Sequence, residues 1–216
     1  MEFNILNDTL PIHPAKILIC GPSMSGKTHF VKNLLLNSRA PYEVLYIFAH
    51  RIDQPVYKEI IEEYTEANRP VITFSDIPDE PIEFDKSKKN IVLVDDLIEE
   101  AEKSKYMGHL LRDGAHHDNL TLILISHWCC NGSDSRRQRL QMDYMVLFDF
   151  PADKKAVHGI GTQICPGGIE KFMEVYNDAT NIRYKPLIID LTNSQYIDKR
   201  LKFRCGQWNI IYPNLI

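Results

Sequence analysis

The stretch ICGPSMSGKTHF, Ile19 to Phe30, sets glycines at 21 and 26, a lysine at 27 and a hydroxyl at 28, which satisfies GxxxxGK[ST] in full. Glycines at those places let backbone N–H groups turn inward around an anion, and a helix that starts at Gly26 adds the positive end of its dipole. The lysine then reaches β- and γ-phosphate oxygens, and the Thr28 hydroxyl is placed to ligate Mg²⁺. Gly21, Pro22, Ser23, Met24, Ser25, Gly26, Lys27, Thr28 and His29 are therefore the candidate nucleotide-binding residues. A second pattern, NIVLVDDL, ends an apolar run in two carboxylates, Asp95 and Asp96. Paired with a phosphate loop it has the form of a Walker B strand. Asp95 then holds the magnesium, directly or through water, and Asp96 polarises the attacking water. Taken alone, two acids after a strand also suit a polar turn or a helix N-cap. No NKxD guanine-reading motif occurs, which favours ATP over GTP.

Such residues need a strand to carry the loop and a helix to follow it. Seven apolar runs of strand length recur along the 216 residues: Lys16–Cys20, Glu43–Ala49, Val71–Phe74, Asn90–Asp95, Leu120–Ser126, Tyr144–Phe150 and Pro186–Leu191. Most are nearly continuous, as in strands covered on both faces. Helices are expected at Gly26–Leu36, Pro55–Ala67, Leu97–Leu111, Asp153–Ile160 and Gly168–Asn177, the first with an apolar stripe of Phe30, Val31, Leu34 and Leu35. The alternation predicts an α/β fold with a mostly parallel central sheet flanked by helices. Strands lie between the two motifs, which points to a P-loop NTPase of the additional-strand, RecA/FtsK-like type rather than a small nucleotide kinase. One domain over residues 1–216 is expected, with an N-terminal extension at 1–15 and a C-terminal extension at 192–216.

Hydrophobic residues make up 44% and charged residues 25%, a soluble globular mixture, so a disordered or fibrous chain is excluded. A net charge of −4 means that any contact with nucleic acid must come from a local basic patch. The five cysteines show no CxxC pairing, which favours free thiols in a reducing compartment. His116, His117, His127, Cys129 and Cys130 match no standard zinc spacing and read as packing and turn residues. The N-terminus lacks the apolar core of a signal peptide, and no apolar run is long enough to span a bilayer, so a soluble intracellular protein without a membrane partner is expected.

The stretch HLLRDGAHHDNLTLILISHWCC carries a helix end, a Gly-Ala-His-His turn and a strand that ends at Ser126-His127. Further on come MDYMVLFDFPADKKAV and EVYNDATNIRYKPLIIDLTNSQYIDKRLK. Together these resemble the DNA-packaging ATPases of the HerA/FtsK superfamily, particularly those of Polinton- and adintovirus-type elements. The likeness runs from about Lys16 to Pro213. It implies a homo-oligomeric ring around double-stranded DNA, contacted without sequence specificity, that uses ATP and Mg²⁺ to pull a genome into a preformed capsid and so meets capsid vertex proteins. The implied setting is an infected cell, its nucleus or viral factory, or the virion. It also implies catalytic roles for Lys27, Asp96, His127 and Arg112. Two positions depart from the family pattern: His127 stands where relatives carry a sensor Gln, and Asp113 stands where they carry the arginine offered to the neighbouring subunit, leaving Arg112 one residue earlier. Arg136, Arg137 and Arg139 are the first candidates for DNA phosphate contacts and a second choice for that arginine. Lys154 and Lys155, then Lys199, Arg200, Lys202 and Arg204, follow for DNA. The competing readings are a replication-associated, helicase-like ATPase and a slow nucleotide-gated capsid-assembly module.

Overall fold

A computed structural model describes residues 4–6, 13–36, 42–128, 141–165, 167–192, 201–205 and 208–211. The chain groups into two compact units, one from residues 11–18 and 28–126, the other from 1–10, 19–27 and 127–216.

In the first unit the strands β3 (Val44–Ala49), β4 (Val71–Phe74), β5 (Asn90–Asp95) and β6 (Leu120–Ser126) join the beginning of β2 (Lys16–Cys20) in the order β2-β6-β5-β3-β4. The β6/β5, β5/β3 and β3/β4 pairs are parallel. Every residue of β3, β5 and β6 is buried, which is why these strands read as unbroken apolar runs. β6 lies between β2, which leads into the phosphate loop, and β5, which ends in the acids. That is the additional-strand arrangement expected, although the inserted strand is β6 rather than either of those lying between the two motifs in sequence. Register sets Ala49, Asp95 and Ile125 side by side, so the carboxyl ends of three strands line up where open α/β sheets bind ligands.

Helix α1 spans Lys27–Leu36. Helix α2, Pro55–Glu66, opens on a proline that fits the first helical position and buries Val56, Tyr57, Ile60 and Tyr64 on one stripe. The single helix expected over Leu97–Leu111 is instead broken. It forms α3 (Ile98–Lys103), α4 (Lys105–His109), a π turn at Leu110–Gly114 and the short α5 (Ala115–His117). The break falls at Ser104, which is extended (φ −77°, ψ 123°) and whose side-chain oxygen accepts the Met107 N–H at 3.3 Å. Serine caps a new helix better than it continues an old one.

The second unit holds β1 (Asn4–Leu6), β7 (Tyr144–Leu147), β8 (Leu187–Asp190), β9 (Leu201–Cys205), β10 (Trp208–Ile211) and the end of β2, in the order β2-β7-β8-β9-β10-β1. The pairs from β7 to β1 are antiparallel. β1, β9 and β10 fall in stretches that the sequence pattern leaves as extensions. Helix α6 (Lys154–Ile164) starts at Asp153, whose carboxylate accepts the Ala156 N–H at 3.0 Å, and α7 covers Ile169–Thr180. Among the described residues no helix is long and apolar enough to cross a membrane.

Gly161 is what lets α6 and α7 close on each other: a methyl group there would lie 2.3 Å from Phe172 Cδ1 and 2.7 Å from Ile169 Cδ1. Overpacking costs about 1–3 kcal/mol, against only a few tenths recovered in helix propensity when glycine becomes valine. Gly161→Val is expected to lower stability by roughly 2 kcal/mol, read as a shift in urea midpoint.

Candidate active site

The phosphate loop lies in the second unit and is shaped by contacts at both ends. At Gly21 a side chain has no room: a Cβ would sit 2.5 Å from Ser25 Oγ and 2.8 Å from Phe148 Cβ. Phe148 is fixed in turn, because its N–H donates to the Cys20 carbonyl at 2.9 Å. The Tyr176 hydroxyl on α7 donates to the Phe148 carbonyl at 2.9 Å and accepts the Phe150 N–H at 2.8 Å. At the far end Gly26 has φ 98°, a left-handed value that suits glycine, and lies against the Tyr184 side chain. The two downstream stretches that carry the family resemblance thus buttress the two glycines.

Within this frame the Lys27 ammonium is buried at 5% exposure. It donates to the carbonyls of Gly21 (2.7 Å) and Pro22 (2.9 Å), and its nitrogen lies 3.1 Å from His127 Nδ1. An ammonium only donates, so Nδ1 is the accepting nitrogen of this contact. Ser23 Oγ lies 3.4 Å from the same Nδ1. Because that nitrogen has one lone pair, the shorter Lys27 contact takes it. His127, expected at the strand end as a sensor, is thus placed on the lysine of the loop. Met24, at the loop tip, is 87% exposed with φ 61°. The loop fits a nucleotide's phosphates. Ser25 Oγ is buried with no hydrogen-bond partner, and at Gly21 the loop has room for no side chain, so its backbone can approach an anion closely.

Thr28, Asp95 and Asp96 belong to the first unit. Asp95 is 8% exposed, and its Oδ2 accepts a short hydrogen bond from the Tyr57 hydroxyl. Thr28 is hydrogen-bonded to the same phenol. Burial first, and then the Asp95 carboxylate, push the Tyr57 phenol far above the ordinary tyrosine range, so it remains a donor. The hydroxyl and carboxylate oxygens of Thr28 and Asp95, joined through Tyr57, are hard donors of the kind Mg²⁺ takes. Asp96 is exposed in a left-handed conformation, φ 60°, which asparagine and aspartate tolerate better than most residues. Sequence reasoning missed Tyr57; its place on the buried stripe of α2 marks it only as core.

Arg112 is exposed on the π turn, next to Leu111, whose carbonyl accepts a 3.1 Å hydrogen bond from the buried Lys16 ammonium. Lys154 pairs with Asp149 at 2.7 Å and lies 4.8 Å from the Tyr176 ring centroid, so it is tied to the α6 start. Arg136, Arg137, Arg139, Cys129, Cys130, Lys199 and Arg200 lie outside the described residues.

No protein-family model and no curated protein sequence matches the chain. Solved structures do. The genome packaging NTPase B204 from Sulfolobus turreted icosahedral virus 2, in complex with AMP, aligns with a TM-score of 0.58 at 15% identity, over 90% of this chain and 98% of that one. Its complex with ATP-gammaS aligns at 0.52 and 14% identity, over 93% and 98%. B204, the DNA-packaging ATPase from Sulfolobus Turreted Icosahedral Virus, aligns at 0.54 and 13%, again over 93% and 98%. At such identities the likeness is one of fold. The chain has the α/β fold of a P-loop NTPase, with a mostly parallel central sheet and flanking helices as the sequence predicts.

Tyr57→Phe removes one donor from a buried carboxylate while keeping the ring that fills the core. A hydrogen bond to a charged group is worth about 1.5–3 kcal/mol, so a loss of stability in that range is expected. Chemical denaturation of the nucleotide-free protein measures it, and an unchanged midpoint would mean that Asp95 does not depend on the phenol.

Proposed function

We propose that the chain is an ATP-hydrolysing motor of the HerA/FtsK kind that moves double-stranded viral DNA into a preformed capsid. The observation that carries the reading is the phosphate loop, closed around a buried Lys27 whose ammonium rests on its own loop carbonyls and on His127. Such a lysine is poised to exchange neutral acceptors for phosphate oxygens. The packaging assignment is supported by a fold shared along nearly the whole chain with B204, itself a genome packaging NTPase.

In this reading Lys27 binds the β- and γ-phosphates and in doing so gives up its contact with His127 Nδ1. His127 is then the group that registers whether the γ-phosphate is present. Thr28 and Asp95 hold Mg²⁺, which when bound neutralises charge on the phosphates. Asp96 orients and polarises the attacking water. Arg112 is offered to the γ-phosphate of a neighbouring copy in the ring, and the π turn that carries it fits such a role, since these irregular turns recur at functional sites. Arg136, Arg137 and Arg139 remain the first candidates for non-specific contact with DNA phosphates, so binding weakens steeply with salt. Lys154, already paired, is a poorer candidate than Lys155. Capsid vertex proteins are the partners on the capsid side.

The test is ATP turnover by the purified protein alone, with duplex and with single-stranded DNA, beside Lys27→Ala and Asp96→Asn. Asparagine suits the left-handed backbone at 96, so the second variant changes charge without straining the turn. Duplex-stimulated turnover that falls by about 10² to 10⁴ in Asp96→Asn is the expected outcome. Stimulation by single strands alone points instead to a helicase-like enzyme, and absence of turnover under every condition to a nucleotide-gated assembly module.

A further inference from the structure

The turn between α7 and β8, residues 181–186, holds a residue that its backbone disfavours. The Lys185 N–H donates to the Ile182 carbonyl at 3.0 Å, which makes Tyr184 the third residue of a tight turn, with φ 67°. Glycine or asparagine is usual there, and a bulky aromatic with positive φ is an outlier. Nor does burial explain the tyrosine, since it is 53% exposed. Its side chain lies against Gly26, the residue before Lys27, such that a methyl at Gly26 would be 3.1 Å from Tyr184 Cδ1. The Arg183 guanidinium lies over the ring, 4.6 Å from its centroid. A strained, exposed ring, already stacked with a planar cation, thus stands beside the amino end of α1.

We propose that Tyr184 is a stacking platform for the base of the nucleotide. This rests on the reading of the phosphate loop as a nucleotide site. The phosphate chain at the start of α1 leaves the ribose and base to extend from the α-phosphate, and the exposed ring beside Gly26 gives the base a flat apolar surface. The base joins the Tyr184–Arg183 stack, where the guanidinium charge suits an electron-rich heterocycle as it suits the phenol ring. Stacking of this kind recognises that a base is present rather than which base it is. The backbone strain at Tyr184 is then retained for binding rather than for packing.

Calorimetric titration with ATPγS and with inorganic tripolyphosphate tests this on the wild type, Tyr184→Ala and Tyr184→Phe. The wild type should bind ATPγS more tightly than tripolyphosphate. Tyr184→Ala should weaken ATPγS by about 5- to 100-fold, the usual range for one stacked base, and leave tripolyphosphate within about twofold. Tyr184→Phe should behave as wild type. Tyr184→Gly, which the positive φ favours, gives the same comparison should the alanine variant fold poorly. Equal weakening of both ligands would overturn the proposal and make the ring a support for Gly26. So would unchanged ATPγS affinity with an altered oligomeric mass, which would make it a contact between copies of the chain. Equal affinity of the wild type for both ligands would remove the base subsite yet keep the phosphate loop, whereas binding of neither would overturn both readings.

Discussion

A buried ammonium must be surrounded by acceptors, and most of the phosphate loop's architecture follows from meeting that demand at Lys27. Removing a full charge from water is costly unless the surroundings supply comparable interactions. Here the Gly21 and Pro22 carbonyls and the His127 imidazole supply them. The loop that carries those carbonyls packs closely against other segments. Phe148 blocks it at Gly21 and Tyr184 at Gly26, while Tyr176 holds the strand end that carries Phe148.

The acidic strand meets a similar demand by other means. Asp95 is nearly as secluded as Lys27, and a phenol from α2 donates to it. Asp96, one residue later, turns outward through a left-handed bend and remains in solvent. Adjacent carboxylates thus have different environments: Asp95 is buried and accepts from a phenol, and Asp96 is exposed.

Much of this was legible in the residues. All seven expected strands form, because buried strands leave unbroken apolar runs, and the phosphate loop and acid pair announce themselves by local spacing. What was not legible depended on contacts far apart in sequence. Tyr57 looks like any core aromatic of an amphipathic helix until β5 brings a carboxylate to it. The support of Gly21 by Phe148 joins segments more than a hundred residues apart. The helix broken at Ser104 shows the opposite failure: apolar periodicity continues through the break, and a single capping hydroxyl overrides it.

The outermost strand carries a different lesson. β1 pairs with β10, so that Asn4 lies opposite Ile211, a residue far along the sequence from it. A pairing between strands so far apart in sequence closes a long loop, whose entropic cost grows only slowly with its length. During synthesis β1 therefore has no β10 to pair with until about two hundred further residues have been made. Of the two, the strand made earlier is seated only when the later one arrives.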